Sequence, residues 1–421
     1  MPDSRRSIET RRPSVGEQTG PTVLLAVEQL RRRVPGGIGA YARGLLGGLA
    51  AEAVEGDAVE VTLLASRPPH GADDPLHAFG RPVHASWLPG RLLIRAWDHG
   101  LSRAPAGFDI VHSVSLASPR LRSASTERLV VTVHDVAWRR HPEATTRRGL
   151  SWHESALQRA VQSKAALVVP SRLVAADLTA MGVEEARVTV VASGADHLPA
   201  PDTAGADALL RRLGVSDEFL LTVSTLEPRK NVDRLVQAFR QMHGSLPGPW
   251  PLVIVGPTGW GPGPAATRES DHVVFTGNAT DAILAEMYRR ARAFAYVPLT
   301  EGYGLPPLEA MRLGIPTLVS DEVPSVHDLG AVEPAAALVV DPLDVDDIAD
   351  GLAAVLTDDA LRADLAERGA AYASARTWRR AARAHLDLWQ ALWCRTRASR
   401  SPSLSRPSRH GRAGPATTQW R

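Results

Sequence analysis

The sequence predicts an α/β protein in which two doubly wound domains face each other across a cleft. Short apolar runs alternate with helix-like segments over most of the 421 residues, a length that suits more than one domain. The alternation stops once, in a stretch rich in Pro, Ala and Asp at 196–207, and then resumes. Buried strands that alternate with helices favour a mostly parallel sheet covered on both faces. Two such domains leave a cleft between them, which is the usual place for a ligand.

The first domain is predicted to span 21–197. It opens with an apolar run at 22–27, followed by the loop Pro35-Gly36-Gly37-Ile38-Gly39 and a helical pattern to about residue 51. Strand, glycine loop and helix in this order are typical of the start of a doubly wound fold. Further strands are predicted at 59–65, 110–113, 129–134, 167–170 and 188–191, and helices at 150–163 and 172–181.

The second domain is predicted to span 207–375, after a linker at 198–206. Strands are predicted at 219–224, 252–255, 273–275, 293–297, 317–320 and 338–340, and helices at 232–242, 282–290, 307–313 and 345–356. An amphipathic C-terminal helix at 376–393 is predicted to pack across both domains. The two ends, 1–20 and 394–421, contain many arginines and few apolar residues, which predicts disordered tails.

Composition narrows the class of protein. A net charge of +2 is too small to favour nucleic-acid binding. No apolar run approaches the roughly 18 residues that span a bilayer, and neither end carries the apolar stretch of a secretory signal. Cys394 is the single cysteine, so a disulfide within the chain and a cysteine zinc site are excluded. These features predict a cytoplasmic protein.

The strongest local signal is the segment EGYGLPPLE, which runs from Glu301 to Glu309. It follows a predicted strand and opens a predicted helix. Glycines let backbone amides approach a ligand closely, and a helix N-terminus attracts anions through its free N–H groups and macrodipole. The two carboxylates can accept hydrogen bonds from sugar hydroxyls. The segment therefore suits a hexose, a ribose and the phosphates between them; a tight turn with surface acids is the structural alternative.

A second signal is Glu227-Pro228-Arg229-Lys230-Asn231, between a predicted strand and a predicted helix. Two adjacent cations are unfavourable at the positive end of a helix, so a bound anion is the natural compensation. Lys230 is also one of only two lysines in the chain, and a compact ammonium differs chemically from the arginine fork. A solvated basic loop is the alternative interpretation.

Together these segments resemble the retaining glycosyltransferases of family 4, which have the GT-B fold of two Rossmann-like domains. The matching segments, in order along 22–375, are Gly36-Gly37-Ile38-Gly39, Val133-His134-Asp135, Pro170-Ser171-Arg172, Glu227-Pro228-Arg229-Lys230-Asn231, Val255-Gly256, Phe275-Thr276-Gly277 and the E-x7-E pair Glu301 and Glu309. The order and spacing carry the resemblance, because each segment alone is weak. The chain departs from the family at Ala192-Ser193-Gly194, where the family has an asparagine.

The resemblance implies a role for each matching residue. Arg229 and Lys230 would clamp the donor diphosphate, Glu301 would hold the transferred sugar, and His134 would lie over that sugar; these four are the expected catalytic residues. The expected donor-binding residues are Gly37, Gly39, Gly277, Asn278, Gly302, Tyr303, Gly304, Leu305 and Glu309, with Glu309 on the ribose. On local evidence alone, His134 is instead a strand-end histidine satisfied by a backbone carbonyl.

The resemblance also implies that neither a metal nor a cofactor is needed, because basic side chains and the helix dipole neutralise the leaving diphosphate. Asp344-Val345-Asp346 has the form of a metal-binding pair of aspartates. It begins a predicted helix, however, which favours an N-cap instead.

The expected activity is transfer of a hexose, with retention of configuration, to a hydroxyl of a polysaccharide, glycolipid or lipid-linked acceptor. The stretch from Val133 to Glu143 is similar to bacterial mannosyltransferases that use GDP-mannose. UDP-glucose and dTDP-rhamnose are alternative donors; an epimerase of the same architecture and an inactive scaffold are alternative classes.

Residues 87–97 interleave Trp, Arg and aliphatic side chains, and with the basic tail they predict weak peripheral contact with the inner face of a membrane. A core-facing helix is the alternative for this segment.

Overall fold

The computed structural model describes residues 20–32, 35–53, 59–68, 73–122, 128–215, 218–248, 250–259, 272–327 and 335–398. Most of the two predicted tails therefore lies outside the described residues. Within them, every strand pairing is parallel, and the strands form two separate sheets. The predicted pair of doubly wound α/β domains is confirmed.

The first domain holds a seven-stranded sheet. Its strands are β1 (Thr22–Ala26), β2 (Glu60–Ala65), β3 (Val83–Ala85), β4 (Ile110–Ser113), β5 (Leu129–Thr132), β6 (Ala166–Val169) and β7 (Val188–Val190). They lie in the order β3-β2-β1-β4-β5-β6-β7. β4 and β5 are buried at every position, as expected for a sheet that is covered on both faces. The short, mostly exposed β3 lacks an apolar pattern, which explains why it was not predicted.

Among the described residues of this domain there are five α-helices. They are α1 (Gly36–Ala53), α2 (Gly90–Asp98), α3 (Ala137–Arg140), α4 (Arg147–Gln162) and α5 (Arg172–Ala180). The prediction of a glycine loop at 35–39 is wrong, because these glycines form the first turn of α1. Gly36 starts that turn with a φ of 62°, a left-handed conformation that glycine adopts without strain. Further along, Tyr41, Leu45 and Leu49 pack into the core.

The second domain holds a six-stranded sheet. Its strands are β8 (Phe219–Val223), β9 (Leu252–Val255), β10 (Val273–Gly277), β11 (Ala291–Tyr296), β12 (Thr317–Ser320) and β13 (Leu338–Val340), in the order β10-β9-β8-β11-β12-β13. Its helices are α6 (Thr203–Arg212), α7 (Val232–His243), α8 (Asp281–Arg290), α9 (Leu305–Arg312), α10 (Pro324–His327), α11 (Val345–Thr357) and α12 (Asp359–Ser374). α6 starts inside the predicted linker at 198–206 and packs on α8, so the second domain begins earlier than predicted.

The last helix, α13 (Trp378–Ala398), returns to the first domain. It runs along α1 and contributes Ala382, Leu386 and Trp389 to the first-domain core. The predicted packing of this helix across both domains therefore needs correction, because its buried face belongs mainly to the first domain. It also ends at Ala398 rather than at the predicted boundary of 393.

The chain crosses back between the domains just before α13, at a tightly packed point. Trp378 is 3% exposed. Its ring and backbone press against three glycines: a Cβ built on Gly44, Gly48 or Gly194 would lie 2.0, 2.2 or 2.1 Å from an atom of Trp378. Because only glycine leaves this space, the crossing is fixed to α1 at the edge of the cleft.

The strand orders determine where a ligand can bind. In each sheet the strands are added first on one side of the domain's first strand and then on the other side. This change of side falls between β1 and β4 in the first sheet and between β8 and β11 in the second. Loops that leave the carboxyl ends of parallel strands at such a switch point diverge and leave a crevice. The segments after β5, β8 and β11, which contain the predicted site residues, all leave carboxyl ends of strands. Among the described residues, none of the helices is both long and apolar enough to cross a membrane.

Candidate active site

A cavity of about 620 Å³ lies between the two domains, within the size range of ligand pockets. Its first-domain wall includes the start of α1 and the segment after β5. The second-domain wall includes the segments that follow β8 and β11 and the start of α9. Both strongest sequence signals therefore face the same space.

The segment after β8 presents its two cations from a rigid turn. Pro228–Lys230 forms a single helical turn, and Asn231 follows in the left-handed conformation with a φ of 58°. The buried Asn231 amide donates to the carbonyls of Val297 (3.0 Å) and Pro342 (2.7 Å), which holds the turn against the sheet. Arg229 and Lys230 thus precede α7 instead of lying in its first turn.

The cations meet Glu301, which follows β11. Lys230 Nζ donates to Glu301 Oε1 and, at 2.8 Å, to the Tyr296 hydroxyl. Arg229 Nη1 lies 3.3 Å from the same Glu301 oxygen, and its Nε lies 2.8 Å from Glu227 Oε1. Glu227 and Glu301 are both less than a tenth exposed. Two cations and two carboxylates are therefore matched inside the cleft.

The electrostatic balance of this cluster keeps Glu301 ionised. Burial opposes ionisation of its carboxyl, but the charges of Lys230 and Arg229 outweigh that effect and lower the pKa of Glu301 to about 2. Burial also raises the pKa of Glu227, against the opposing effect of Arg229. An entering anion must compete with Glu301 for both cations.

The segment after Glu301 forms the turn into α9. Gly304 has a φ of 93° and immediately precedes the helix. Pro306 and Pro307 have no backbone N–H, so the amides available at this helix start belong to Gly304 and Leu305. This end of the helix carries the positive pole of its dipole and faces the cavity. An anionic group can be held between this turn and the Arg229–Lys230 pair.

Glu309 lies one turn into α9 and is 5% exposed. Tyr288 donates its hydroxyl to Glu309 Oε2 at 2.8 Å, and His197 Nε2 lies 3.2 Å from Oε1. Both carboxylates of the sequence motif therefore line the cavity. Each retains lone pairs that can accept hydrogen bonds from hydroxyl groups.

His134 comes from the first domain. Its Nε2–H donates to the carbonyl of Val114 at 2.8 Å, and the ring contacts Tyr41 edge-on. Burial lowers the pKa of His134, so the imidazole is mainly neutral at pH 7. The ring is satisfied by a backbone carbonyl, as the local interpretation predicts, and it also lines the cavity. Its place over the transferred sugar stays a prediction.

The cavity brings together eleven of the thirteen predicted site residues: His134, Arg229, Lys230, Glu301, Gly37, Asn278, Gly302, Tyr303, Gly304, Leu305 and Glu309. Gly39 and Gly277 are not among the lining residues, although their neighbours Ile38 and Asn278 are. Gly39 packs against Pro35 within the first turn of α1, and Gly277 ends β10 with a φ of 71°. The donor-binding roles of these two glycines stay predictions.

Sequence reasoning missed several side chains of the site. Glu227, Tyr296, Tyr288 and His197 contact the predicted residues directly. Glu227 belongs to the segment from Glu227 to Asn231, and its negative charge next to Arg229 could have indicated a role in the site. Tyr296 precedes Glu301 by five residues. Tyr288 and His197 come from other segments and reach Glu309 only through packing. The predicted N-cap is confirmed, because the Asp344 carboxylate accepts the amides of Asp346 (2.9 Å) and Asp347 (3.2 Å) at the start of α11.

Comparisons with known proteins agree with this geometry. Residues 35–197 match the family described as Glycosyltransferase Family 4, and residues 211–372 match Glycosyl transferases group 1. The chain is 29% identical over 261 residues to the O-antigen chain mannosyltransferase B of Escherichia coli, which covers 60% of this chain and 67% of that one. It is 31% identical over 337 residues to a D-inositol 3-phosphate glycosyltransferase of Xylanimonas cellulosilytica, covering 72% and 77%.

Two further comparisons show how far this similarity extends in length and in sequence identity. The chain spans about a fifth of the length of the E. coli serotype-specific mannosyltransferases that it matches at 32% identity. Among solved structures, the sucrose-phosphate synthase of Thermosynechococcus elongatus superposes with a TM-score of 0.66 at 19% identity, over 89% of this chain and 100% of that one. At that identity the superposition supports the fold alone. Sequence and architecture together establish that this chain is a GT-B glycosyltransferase and belongs to family 4.

Proposed function

We propose that the protein is a retaining mannosyltransferase, which takes mannose from GDP-mannose and transfers it to a hydroxyl group of a glycan or glycolipid. One observation carries the proposal. The Arg229–Lys230 pair, the start of α9 and two buried carboxylates, Glu301 and Glu309, line one cavity, and Glu301 contacts both cations. These are the groups that a sugar nucleotide needs: cations and free amides for its diphosphate, and carboxylates for the hydroxyls of its sugar and ribose.

The proposed binding mode divides the donor among these groups. The diphosphate takes the place of the Glu301 carboxylate at Lys230 and Arg229, and it accepts hydrogen bonds from the backbone at the start of α9. Released from those cations, Glu301 turns to hydroxyls of the sugar. Glu309 accepts from the ribose hydroxyls, and His134 closes the sugar site from the first domain.

The proposed chemistry needs no protein nucleophile. The bond from the sugar C1 to the phosphate oxygen breaks, and a bond from the acceptor oxygen to C1 forms on the same face of the ring. The acceptor proton passes to an oxygen of the departing diphosphate. Lys230, Arg229 and the helix dipole stabilise the negative charge that builds up on that group, so we also propose that no metal ion or cofactor takes part.

Fewer observations support mannose as the sugar and guanine as the base than support the reaction class. The stretch from Val133 to Glu143 has the form found in GDP-mannose-dependent enzymes, and the E. coli relative transfers mannose according to its name. UDP-glucose and dTDP-rhamnose are the competing donors. Slow hydrolysis of a panel of sugar nucleotides, with EDTA present, tests the assignment. We expect GDP-mannose to turn over fastest and to release mannose that is initially the α-anomer by NMR.

Three results would each overturn a part of the proposal. Preferential turnover of another sugar nucleotide would exclude GDP-mannose while leaving the reaction class intact. Initial release of the β-anomer would exclude retention. A requirement for added divalent metal would exclude the metal-independent mechanism.

The predicted membrane contact is supported by part of the 87–97 segment. Trp87 is 80% exposed and Leu101, just beyond α2, is 83% exposed. Arg91 and Arg95 are exposed beside them. Trp97, by contrast, is buried in the core, so only one of the two tryptophans can meet a surface. We propose that Trp87 and its neighbours contact an anionic bilayer that carries the acceptor.

A further inference from the structure

His197 is a buried link between the two domains. It follows β7 at the start of the segment that leads into the second domain, and its side chain is 6% exposed. One ring nitrogen, Nε2, lies 3.2 Å from Glu309 Oε1. The other, Nδ1, lies 3.1 Å from the indole Nε1 of Trp378. The ring therefore joins a donor-facing carboxylate to the second point where the chain crosses between domains.

The partners of the ring fix its tautomer. An indole N–H can only donate, so Nδ1 of His197 must be the acceptor in the contact with Trp378. The imidazole proton then resides on Nε2, which points it at the Glu309 carboxylate. In this arrangement Trp378 determines which nitrogen carries the proton, and His197 presents that proton to Glu309.

Trp378 is itself held rigidly. Besides the three glycines that receive it, its backbone N–H donates to Asp196 Oδ1 at 2.7 Å. Asp196, the neighbour of His197, thus holds the backbone of Trp378, and the indole of Trp378 in turn holds the His197 ring. The two chain crossings are locked to each other at this point.

Glu309 takes its two hydrogen bonds from different parts of the molecule. Tyr288 belongs to α8 of the second domain, whereas His197 belongs to the segment between the domains. With Tyr288 alone, the carboxylate can rotate about its own axis. The bond from His197 removes this freedom and leaves the remaining lone pairs directed at the cavity.

We propose that His197 is a positioning residue that orients the Glu309 carboxylate for the ribose of the donor and ties that orientation to the seating of the interdomain crossing. The inference rests on the proposed role of Glu309. Under this proposal, the interdomain crossing at Trp378 affects how tightly the donor binds, besides joining the domains.

The test uses the fact that glutamine and asparagine place an amide at different ring positions. His197→Gln can present an amide N–H near the Nε2 position, whereas His197→Asn reaches only the Nδ1 position. We expect His197→Asn to weaken binding of GDP, or of whichever of UDP and dTDP the wild type binds, by about tenfold in calorimetry. Donor KM should rise by a similar factor with kcat within about twofold, and His197→Gln should restore both to within about threefold.

A double-mutant cycle separates this inference from the proposed function. If His197 acts through Glu309, then His197→Asn has no further effect on diphosphate binding in a Glu309→Ala background. Undiminished binding by Glu309→Ala would refute the ribose role of Glu309. Loss of binding in Glu309→Ala, with wild-type binding by His197→Asn, would refute only the positioning role. Equal impairment of both His197 variants, with equally lowered melting temperatures, would also overturn it, because that outcome indicates a structural role.

Discussion

The backbone carbonyl of His134, in the first domain, lies directly against Gly302, in the second. A Cβ built on Gly302 would lie 1.9 Å from that carbonyl oxygen and 2.7 Å from Cβ of Asp135. The Gly302 carbonyl accepts a 2.7 Å hydrogen bond from the Ser171 hydroxyl, again across the cleft. The two domains therefore touch next to Glu301, where the sugar is proposed to bind.

Gly302→Ala should hold the domains apart at this contact. We expect the transfer rate to fall by about 10²-fold, because a shift of about 1 Å misplaces the two halves of the site. Binding of the nucleoside diphosphate should change by less than about fivefold, since the proposed phosphate and ribose groups all belong to the second domain. Gly47→Ala, at an exposed position of α1, is the matched control, because its added Cβ has no atom within 4 Å beyond its own helix backbone. A fully active Gly302→Ala enzyme would show that this contact is dispensable.

Arg229→Ala and Lys230→Ala should each lower turnover by about 10²–10³-fold, as expected for loss of one group that stabilises developing negative charge. Both cations line the cavity and contact Glu301. Steady-state kinetics with the preferred donor provide the measurement. Arg212→Ala, which removes an exposed cation from α6, is the control. Near-normal turnover in both site variants would rule out the assigned diphosphate clamp.

Glu301→Ala should abolish transfer yet bind the free nucleoside diphosphate at least as tightly as wild type. Affinity for the diphosphate should not fall, because without Glu301 the positive charges of Lys230 and Arg229 lose their carboxylate partner and attract a phosphate more strongly. Glu309→Ala should instead weaken binding of the same molecule, about tenfold or more. Calorimetry on the two variants decides the question, and equal losses in both would refute the division between sugar and ribose.

Stability should fall in mild acid because of a buried histidine cluster under the first-domain wall. His385 donates Nδ1–H to the carbonyl of Ala381 (2.7 Å), which leaves Nε2 of the neutral ring to accept the Tyr41 hydroxyl (2.9 Å). Burial lowers the pKa of His385 from 6.5 to about 4. Because the unfolded chain takes up this proton first, the contribution is complete above about pH 6.5 and is lost as the pH falls towards 4.

The expected loss from this histidine is about 2 kcal/mol between about pH 7.5 and about pH 5. Urea unfolding at both pH values measures it. His385→Gln, which cannot titrate, should show a correspondingly weaker pH dependence, although it is less stable at neutral pH. An unchanged pH dependence in that variant would exclude His385 as the source.

Trp87→Ala should weaken binding to anionic vesicles without altering donor hydrolysis, because Trp87 is exposed and lies outside the cavity. Sedimentation with anionic and neutral vesicles at two salt concentrations measures binding. A chain that ends at Ala398 separates the effect of the basic tail. If the full-length protein stays in the supernatant with anionic vesicles at low salt, the membrane proposal is wrong. If only the shortened chain stays in solution, the tail rather than Trp87 is the anchor.

Much of this protein is determined by local pattern. Short β-rich runs such as Ile110–Ser113 and Thr317–Ser320 favour strands buried on both faces, and the structure gives them the predicted bounds. The E-x7-E spacing places Glu301 after a strand and Glu309 within the next helix, so both reach the same cavity. Hydrophobic periodicity and the strand–turn–helix rule are short-range effects, which is why sequence alone suffices for them.

Tertiary structure alone decided how these pieces act on one another. Nothing local to Glu301 indicates that Lys230, Arg229 and Tyr296 converge on a single one of its oxygens. Glycines at 36–39 satisfy a loop or a helix equally well, and packing of α1 against α13 selected the helix. His197 and Trp378 are distant in the chain and show no motif, yet the two interdomain crossings bring them together and place His197 against Glu309. Contacts of this kind depend on where whole domains settle, and that is set by the summed packing of both cores rather than by any segment of the sequence.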